Sequence, residues 1–164
     1  MNKTLEQQVI AALKAHGLTL ATAESCTGGL TAKRLTDVPG ASAVFLGGVV
    51  SYTNAVKQHV LGVPASLLET YGAVSAPVAR AMAMGVRVLT GSDLALSVTG
   101  LAGPAGDDRG SPVGTVFTAL STPQGVFVRQ LALGGDRERI RTLSAHHALD
   151  LLRRYLTDQM TGGE

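Results

Sequence analysis

One short stretch of the chain combines hydroxyl, thiol and carboxyl side chains with two glycines: Thr22-Ala23-Glu24-Ser25-Cys26-Thr27-Gly28-Gly29. The apolar residues before it predict the end of a strand, and the residues after it predict the start of a helix. Such a turn exposes a side chain at the carboxyl end of a strand and points free backbone N–H groups to the same place. The stretch could therefore hold a nucleophile together with a site for an oxyanion or a phosphate.

Either of two neighbours in this turn could be the nucleophile. Ser25 needs a base to become reactive, whereas Cys26 is intrinsically the better nucleophile and would have its pKa lowered by a helix N-terminus. The N–H groups of Thr27, Gly28 and Gly29 are candidates for binding the oxyanion or a substrate phosphate. A structural interpretation stays open, in which Ser25 or Thr27 caps the helix, Cys26 is buried, and the glycines permit close packing.

Two further apolar runs end in polar residues where a strand is predicted to stop. Ser51 and Tyr52 end one run, and Thr99 and Gly100 end the other. Ligands of open α/β sheets bind beyond the carboxyl ends of the parallel strands. If these strands are neighbours, their ends form one crevice with Ser25, and Thr99 and Gly100 become substrate-binding candidates.

Lys57 is the candidate base in this crevice, because it follows Tyr52 at the end of the first helical turn after the strand. A lysine whose pKa is lowered by burial can accept the proton of Ser25, alone or through a tyrosine. Of the four histidines, only His59 falls near the predicted crevice, and it is the weaker candidate. The structural alternative for Lys57 is a solvated helix lysine.

The start of the last helix is a second candidate anion site. Two glycines precede Asp136 and Arg137 there, and Arg141 follows one turn later. An arginine beside free N–H groups suits a phosphate or a carboxylate, although a helix capped by Asp136 with solvated arginines is equally compatible with the pattern. We interpret Asp107 and Asp108 as turn-forming and predict no metal site, because no other ligand stands at a suitable spacing around them.

The elements that position these residues alternate between strand and helix. Strands are predicted over residues 19–23, 43–52, 93–98, 115–120 and 126–131. Helices are predicted over residues 4–15, 30–35, 54–61, 64–71, 76–89 and 137–156. Helical crossovers make the first three strands parallel, and a hairpin through residues 122–125 makes the fourth antiparallel. We therefore predict a three-layer α/β/α sandwich around a mixed, mostly parallel five-stranded sheet, with residues 1–164 as one domain and a frayed tail from about residue 160.

Composition restricts the classes of partner. The 164 residues carry a net charge of only +2 with 4% aromatic residues, so neither a basic surface nor a base-stacking platform is indicated, and we expect no nucleic-acid partner. No apolar run approaches the length of a membrane span or of a signal peptide, so we expect no membrane partner and a cytoplasmic location. The single cysteine can form neither an internal disulfide nor a zinc cluster.

With these residues in place, the chain resembles the stand-alone form of the C-terminal domain of the CinA (competence/damage-inducible) family. The resemblance extends in the family's order from residue 22 to residue 141, and the family's fold is also a three-layer mixed sheet. The motifs that carry it are Thr22–Gly29, Leu35–Ser42, Gly72–Ser75, Val98–Pro104, Pro112–Val116 and Gly135–Arg137.

The resemblance implies an activity that spacing could not show. It implies an amidase that hydrolyses the carboxamide of nicotinamide mononucleotide to nicotinic acid mononucleotide and ammonia, in pyridine-nucleotide salvage. It assigns the nucleophile to Ser25 and the base to Lys57 with Tyr52, and it implies neither a metal nor another cofactor. Thr99 and Arg137 match positions associated with the substrate site, and the family favours a homo-oligomer.

The chain departs from the family pattern in one loop. Where the family has a second glycine and then a lysine before Pro-Val-Gly, this chain has Asp107 and Ser111. If that loop shapes the pocket, we expect affinity or substrate choice to differ. Two alternatives remain open: a non-catalytic module that holds a nucleotide in the same crevice, and a structural or regulatory protein that neither binds nor hydrolyses one.

Overall fold

Five strands form one mixed sheet in the computed structural model, which describes residues 2–157. In chain order the strands are β1 (Leu20–Glu24), β2 (Phe45–Val50), β3 (Leu94–Gly100), β4 (Thr115–Thr122) and β5 (Gly125–Ala132). Their order in the sheet is β2-β1-β3-β4-β5, with β1 parallel to both of its neighbours and β4 antiparallel to both of its own. The predicted mixed sheet with an antiparallel fourth strand is confirmed.

Helices cover both faces of this sheet. They are α1 (Leu5–His16), α2 (Leu30–Thr36), α3 (Asn54–His59), α4 (Ala65–Tyr71), α5 (Ala76–Thr90) and α6 (Arg137–Leu156), with a 3₁₀ turn at Ala41–Ala43. Apolar side chains of α1, α2 and α6 pack on one face, and those of α4 and α5 pack on the other. The predicted three-layer sandwich is confirmed. Within residues 2–157, no helix has both the length and the apolar character needed to cross a membrane.

The two faces of the sheet differ in side-chain size because side chains alternate along each strand. Leucines such as Leu20 and Leu96 point to the face covered by α1 and α6. Alanines such as Ala21 and Ala95 point to the face covered by α5. The small side chains let α5 approach so closely that the hydroxyl group of Ser97 donates a hydrogen bond of 2.6 Å to a carbonyl oxygen within that helix.

Hydroxyl and carboxyl side chains cap several helices. Ser75 caps α5 and Asp136 caps α6, each accepting a hydrogen bond from a backbone N–H of the first turn. Thr53 caps α3, and its hydroxyl oxygen accepts the N–H of Val56 at 3.3 Å. The cap fixes the turn in which the chain leaves β2, and this turn forms part of the site.

Strand β2 differs from the strand predicted over residues 43–52. It is shorter, lies at the edge of the sheet, and alternates between half-buried and exposed residues. A continuous apolar run does not distinguish a central strand from an edge strand. The strand packs closely against β1 at Gly48, where a Cβ atom would overlap Thr22 Oγ1. The β4–β5 hairpin also has longer strands and a shorter connection than predicted.

The contact between α5 and the α3–α4 connection gives a stability prediction. A Cβ atom at Gly85 would overlap the backbone carbonyl oxygen of Leu61, which cannot rotate away as a side chain could. Alanine gains roughly 1 kcal/mol over glycine in a helix, but overpacking costs up to about 3 kcal/mol. We expect Gly85→Ala to lower the free energy of unfolding in urea by about 1–2 kcal/mol.

The control is Val88→Ala on the same helix, where the side chain is 84% exposed and a change within about 0.5 kcal/mol is expected. Unfolding of Gly85→Ala at the same urea concentration as the unmodified protein, or higher, would show that this close packing does not limit stability.

Candidate active site

The strand order brings three polar strand ends to one edge of the sheet. Because β1 lies between β2 and β3 and runs parallel to both, the residues that follow these strands meet beyond their carboxyl ends. They line a cavity of about 290 Å³. Six of the predicted site residues are among its lining residues: Ser25, Tyr52, Lys57, Thr99, Gly100 and Arg137.

The closest pair in this cavity is Lys57 and Ser25. Lys57 is 1% exposed, and its Nζ lies 2.8 Å from Ser25 Oγ. The same Nζ donates a 2.6 Å hydrogen bond to the carbonyl oxygen of Ser51. Helix α3 begins one residue after its Thr53 cap, so its first turn carries Lys57 from β2 across to the end of β1. The geometry places a buried amine directly on a serine hydroxyl.

Burial lowers the pKa of Lys57 to about 8, well below the ordinary value for a lysine. No described carboxylate forms an ion pair with this amine, so little offsets the loss of hydration of its charge. A neutral amine keeps one N–H for the carbonyl oxygen of Ser51 and offers its lone pair to the Ser25 hydroxyl. Such an amine can act as a general base near neutral pH.

Cys26 is in a poor state for nucleophilic chemistry. Its side chain is buried, and burial raises the pKa of the thiol to about 11, with the charge of Glu24 acting in the same direction. The expectation that the helix start would lower this pKa is therefore wrong, because desolvation dominates. The thiol stays protonated at neutral pH, which favours Ser25 over Cys26 as the nucleophile.

The Ser25 hydroxyl is available because another side chain caps α2. The structural alternative in which Ser25 or Thr27 caps this helix is wrong. The Glu24 carboxylate accepts hydrogen bonds from the N–H groups of Thr31 and Ala32, at 2.7 and 3.1 Å. Glu24 is 1% exposed, so its charge is balanced by these N–H groups and by the positive end of the helix. The cap leaves the serine free to face Lys57.

Tyr52 and Arg137 meet at the mouth of the cavity. The Arg137 guanidinium donates to the Tyr52 hydroxyl at 3.0 Å and to the carbonyl oxygen of Gly103 at 2.6 Å. Tyr52 is 58% exposed, and its hydroxyl forms no hydrogen bond to Ser25 or Lys57. These two side chains are therefore placed to contact the outer part of a bound molecule.

Four predicted substrate-binding residues do not line the cavity: Thr27, Gly28, Gly29 and Arg141. Arg141 donates to the carbonyl oxygens of Cys26 and Thr27, at 3.0 and 3.3 Å. The Gly28 N–H donates to the carbonyl oxygen of Ser25 at 3.1 Å. These contacts hold the shape of the turn behind the nucleophile, and the predicted substrate contacts of the four residues stay predictions.

His59 lies apart from Ser25 and Lys57. It lines a larger groove of about 850 Å³, formed mainly by apolar residues of α5 and of the α3–α4 connection. His59 is therefore not placed to act as the base of Ser25. Among the residues that line these two spaces, only those of the smaller cavity include a serine hydroxyl in contact with a buried amine. The smaller cavity is therefore the candidate active site, although the groove is larger.

A family model described as the CinA C-terminal domain matches residues 2–156. The chain belongs to the CinA C-terminal domain family. It is 55% identical over 155 residues to a putative competence-damage inducible protein of Caldanaerobacter subterraneus subsp. tengcongensis. The aligned region covers 94% of this chain and 38% of the relative. It is 57% identical over 153 residues to a CinA-like protein of Desulfotalea psychrophila, covering 93% of this chain and 37% of the relative. The CinA domain described here thus spans about 38% of the first of these relatives and 37% of the second.

Solved structures of the same superfamily share the fold of this CinA domain. A CinA superfamily protein from Klebsiella pneumoniae superposes with a TM-score of 0.92 at 34% identity, covering 94% of this chain and 96% of that one. The competence/damage inducible protein CihA from Agrobacterium tumefaciens superposes with a TM-score of 0.89 at 40% identity, covering 93% of each chain. The resemblance drawn from the sequence motifs is confirmed at the level of family and fold.

Several groups of this CinA site were not predicted from the sequence. The Ser51 carbonyl oxygen holds Lys57, Glu24 caps α2, and Asn54 lines the cavity. A backbone carbonyl carries no side-chain signal. Glu24 could have been suspected as a buried acid at a strand-to-helix turn, although its partners lie beyond the usual capping distance in sequence. Within residues 2–157, no group of three or more His, Cys, Asp or Glu side chains could hold a metal ion.

The Glu24 cap gives a prediction for this CinA domain. A glutamine at position 24 is uncharged and has an NH2 group in place of one of the two accepting oxygens, and that group cannot accept the backbone N–H it would face. We expect Glu24→Gln to lower the free energy of unfolding in urea by about 1–2 kcal/mol. The control is Glu69→Gln, an exposed carboxylate for which a change within about 0.5 kcal/mol is expected. Equal effects of the two substitutions would argue against the capping role of Glu24.

Proposed function

We propose that this CinA domain is an amidohydrolase that converts nicotinamide mononucleotide to nicotinic acid mononucleotide and ammonia, with Ser25 as nucleophile and Lys57 as base. The observation that carries the proposal is the buried Lys57 Nζ at 2.8 Å from Ser25 Oγ, at the carboxyl ends of adjacent parallel strands. The resemblance of the sequence motifs to nicotinamide-nucleotide amidases supplies the substrate.

The first half of the reaction forms an acyl-enzyme. Neutral Lys57 takes the Ser25 proton while Ser25 Oγ attacks the carboxamide carbon, which gives a tetrahedral intermediate. The ammonium group of Lys57 then returns the proton to the leaving nitrogen, and ammonia departs. Tyr52 is not needed as a relay in this scheme, because Lys57 contacts the serine directly and the Tyr52 hydroxyl pairs with Arg137.

The second half of the reaction regenerates the serine. Lys57 removes a proton from a water molecule, which attacks the ester carbon of the acyl-enzyme. Ser25 leaves with the proton that Lys57 has acquired, and the product is a carboxylic acid. The sum is one amide and one water converted to one carboxylic acid and one ammonia. The proton of the acid then passes to ammonia through the solvent, which gives the carboxylate and ammonium.

We assign the stabilisation of the oxyanion to the N–H of the residue that follows the nucleophile, as in other strand-to-helix nucleophile turns. That residue, Cys26, lines the cavity, and its N–H has no acceptor in another residue among residues 2–157. The Gly28 N–H, in contrast, already donates to the Ser25 carbonyl oxygen. Arg137, at the mouth, is assigned to the substrate phosphate. Its guanidinium has five N–H donors, and it makes two hydrogen bonds within the protein, so donors remain for a phosphate.

Release of ammonia from nicotinamide mononucleotide, measured with a chelator present, tests the proposal. We expect release by the unmodified protein and by Cys26→Ala, and a loss of about 10³-fold or more in kcat for Ser25→Ala. Cys26→Ala is the matched control, since it removes the competing nucleophile from the adjacent position. Loss of turnover in Cys26→Ala alone would move the nucleophile to the thiol.

Calorimetric titration of nicotinamide mononucleotide into the same proteins separates the alternatives. Binding by well-folded protein without ammonia release would indicate a non-catalytic nucleotide-binding module. Neither binding nor release would indicate a structural or regulatory protein.

The lowered pKa of Lys57 predicts the pH dependence of the reaction. The base must be neutral, so kcat/KM should rise about tenfold per pH unit up to a pH of about 8 and level off above it. Lys57→Arg carries a permanent charge and should lose about 10²- to 10⁴-fold in kcat. Lys33→Arg, at an exposed lysine of α2, is the control and should leave the profile unchanged. A profile that is flat between pH 6 and 8 would exclude Lys57 as the base.

A further inference from the structure

One arginine outside the cavity connects two of its walls. Arg109 belongs to the segment 101–114 between β3 and β4, and its guanidinium donates to the carbonyl oxygens of Glu69 and Thr70, at 2.5 and 2.9 Å. These carbonyl groups lie in the last turn of α4, where no N–H of the same helix is available to them. Arg109 therefore caps α4 from a loop that is distant in sequence, and its charge suits the negative end of the helix.

Gly72, the residue that follows α4, packs closely against this arginine. A Cβ atom at Gly72 would overlap both Nε and Cδ of Arg109, and the φ angle of Gly72 is +78°. This backbone angle favours glycine, and a side chain at this position would displace that of Arg109. The chain that leaves α4 therefore runs in direct contact with the Arg109 side chain.

That path leads directly into the cavity. Ala73 and Val74, which follow Gly72, form one wall, and residues 101–103 and 105 form another. Thr99 holds the first wall from the inner side, because its hydroxyl donates to the carbonyl oxygen of Ala73 at 2.8 Å. Arg109 holds the chain just before Gly72, through the carbonyl oxygens of Glu69 and Thr70. The chain that leads into the Ala73–Val74 wall is therefore held on either side of Gly72.

The turn that carries Arg109 is itself fixed by a carboxylate. Asp107 Oδ1 accepts hydrogen bonds from the N–H groups of Arg109 and Ser111, at 3.1 and 3.0 Å, which confirms that Asp107 is turn-forming. The Asp107 carboxylate therefore holds the turn from which Arg109 reaches the end of α4.

We propose that Arg109 is a positioning residue that sets the distance between the two walls of the cavity and thereby the affinity for substrate. Its effect on substrate rests on the proposed function. Arg109 lies outside the cavity, and the Ser25–Lys57 pair is held by β1 and α3, which Arg109 does not contact through its guanidinium. Loss of Arg109 should therefore loosen substrate binding without removing the chemistry.

Steady-state kinetics with nicotinamide mononucleotide test this inference. For Arg109→Ala we expect KM to rise about tenfold and kcat to stay within about twofold, because two hydrogen bonds that hold the walls are lost. The pH at which kcat/KM levels off should not move. Arg109→Lys should recover part of the affinity, since a lysine keeps the charge at the end of α4 but lacks the guanidinium fork. Arg80→Ala is the matched control, an exposed arginine on α5 with a single long hydrogen bond to Val126.

Amide hydrogen exchange gives a readout that does not need turnover. In the protein without substrate, exchange in residues 72–75 and 101–106 should be faster in Arg109→Ala and unchanged in Arg80→Ala. Unchanged exchange in these segments would overturn the inference, and so would a lowered melting temperature with an unchanged KM, which indicates a purely structural role. If the unmodified protein releases no ammonia, the proposed function fails, and hydrogen exchange alone then decides whether Arg109 joins the walls.

Discussion

Burial of the Lys57 amine without a carboxylate partner is the constraint on which the site depends. A buried ammonium is unstable unless it finds acceptors, and here the two acceptors are the Ser51 carbonyl oxygen and the Ser25 hydroxyl. Neither carries a negative charge, so the amine is left with a lowered pKa and ready access to its neutral form. An acid beside Lys57 would have stabilised the charged form and removed the basic lone pair. The lack of such a partner among the described residues leaves Lys57 able to serve as the base that we propose.

Two charged residues near Ser25, Glu24 and Arg141, are engaged by backbone groups. The Glu24 carboxylate takes the free N–H groups at the start of α2, and the Arg141 guanidinium takes the carbonyl oxygens of Cys26 and Thr27. The two side chains therefore satisfy both kinds of backbone group around one tight turn. They fix the turn on either side of Ser25, so its hydroxyl is positioned by rigid elements, while no helix cap competes with Lys57 for it.

Much of this arrangement follows from local patterns, and the rest depends on contacts between distant segments. Apolar periodicity and turn residues predicted the layers and the parallel strands, and with them that the ends at Ser25, Tyr52 and Thr99 would meet if these strands were neighbours in the sheet. The same patterns could not show that β2 is an edge strand, since position in a sheet is a property of its neighbours. They could not show the direction of Arg141 either, because a guanidinium at a helix start suits a ligand phosphate and a backbone carbonyl oxygen equally well.

The Ser25–Lys57 pair and part of the wall that faces it come from different parts of the chain. Ser25 and Lys57 lie at the end of β1 and in the first turn of α3, close to the sheet, where packing leaves little freedom. Part of the opposing wall lies in the segment 101–114, a long loop that is stabilised by side-chain contacts such as those of Asp107 and Arg109. Loops on a rigid scaffold tolerate change better than the elements they connect. Substitutions in this loop can therefore change the shape of the pocket while the serine–lysine pair stays in place.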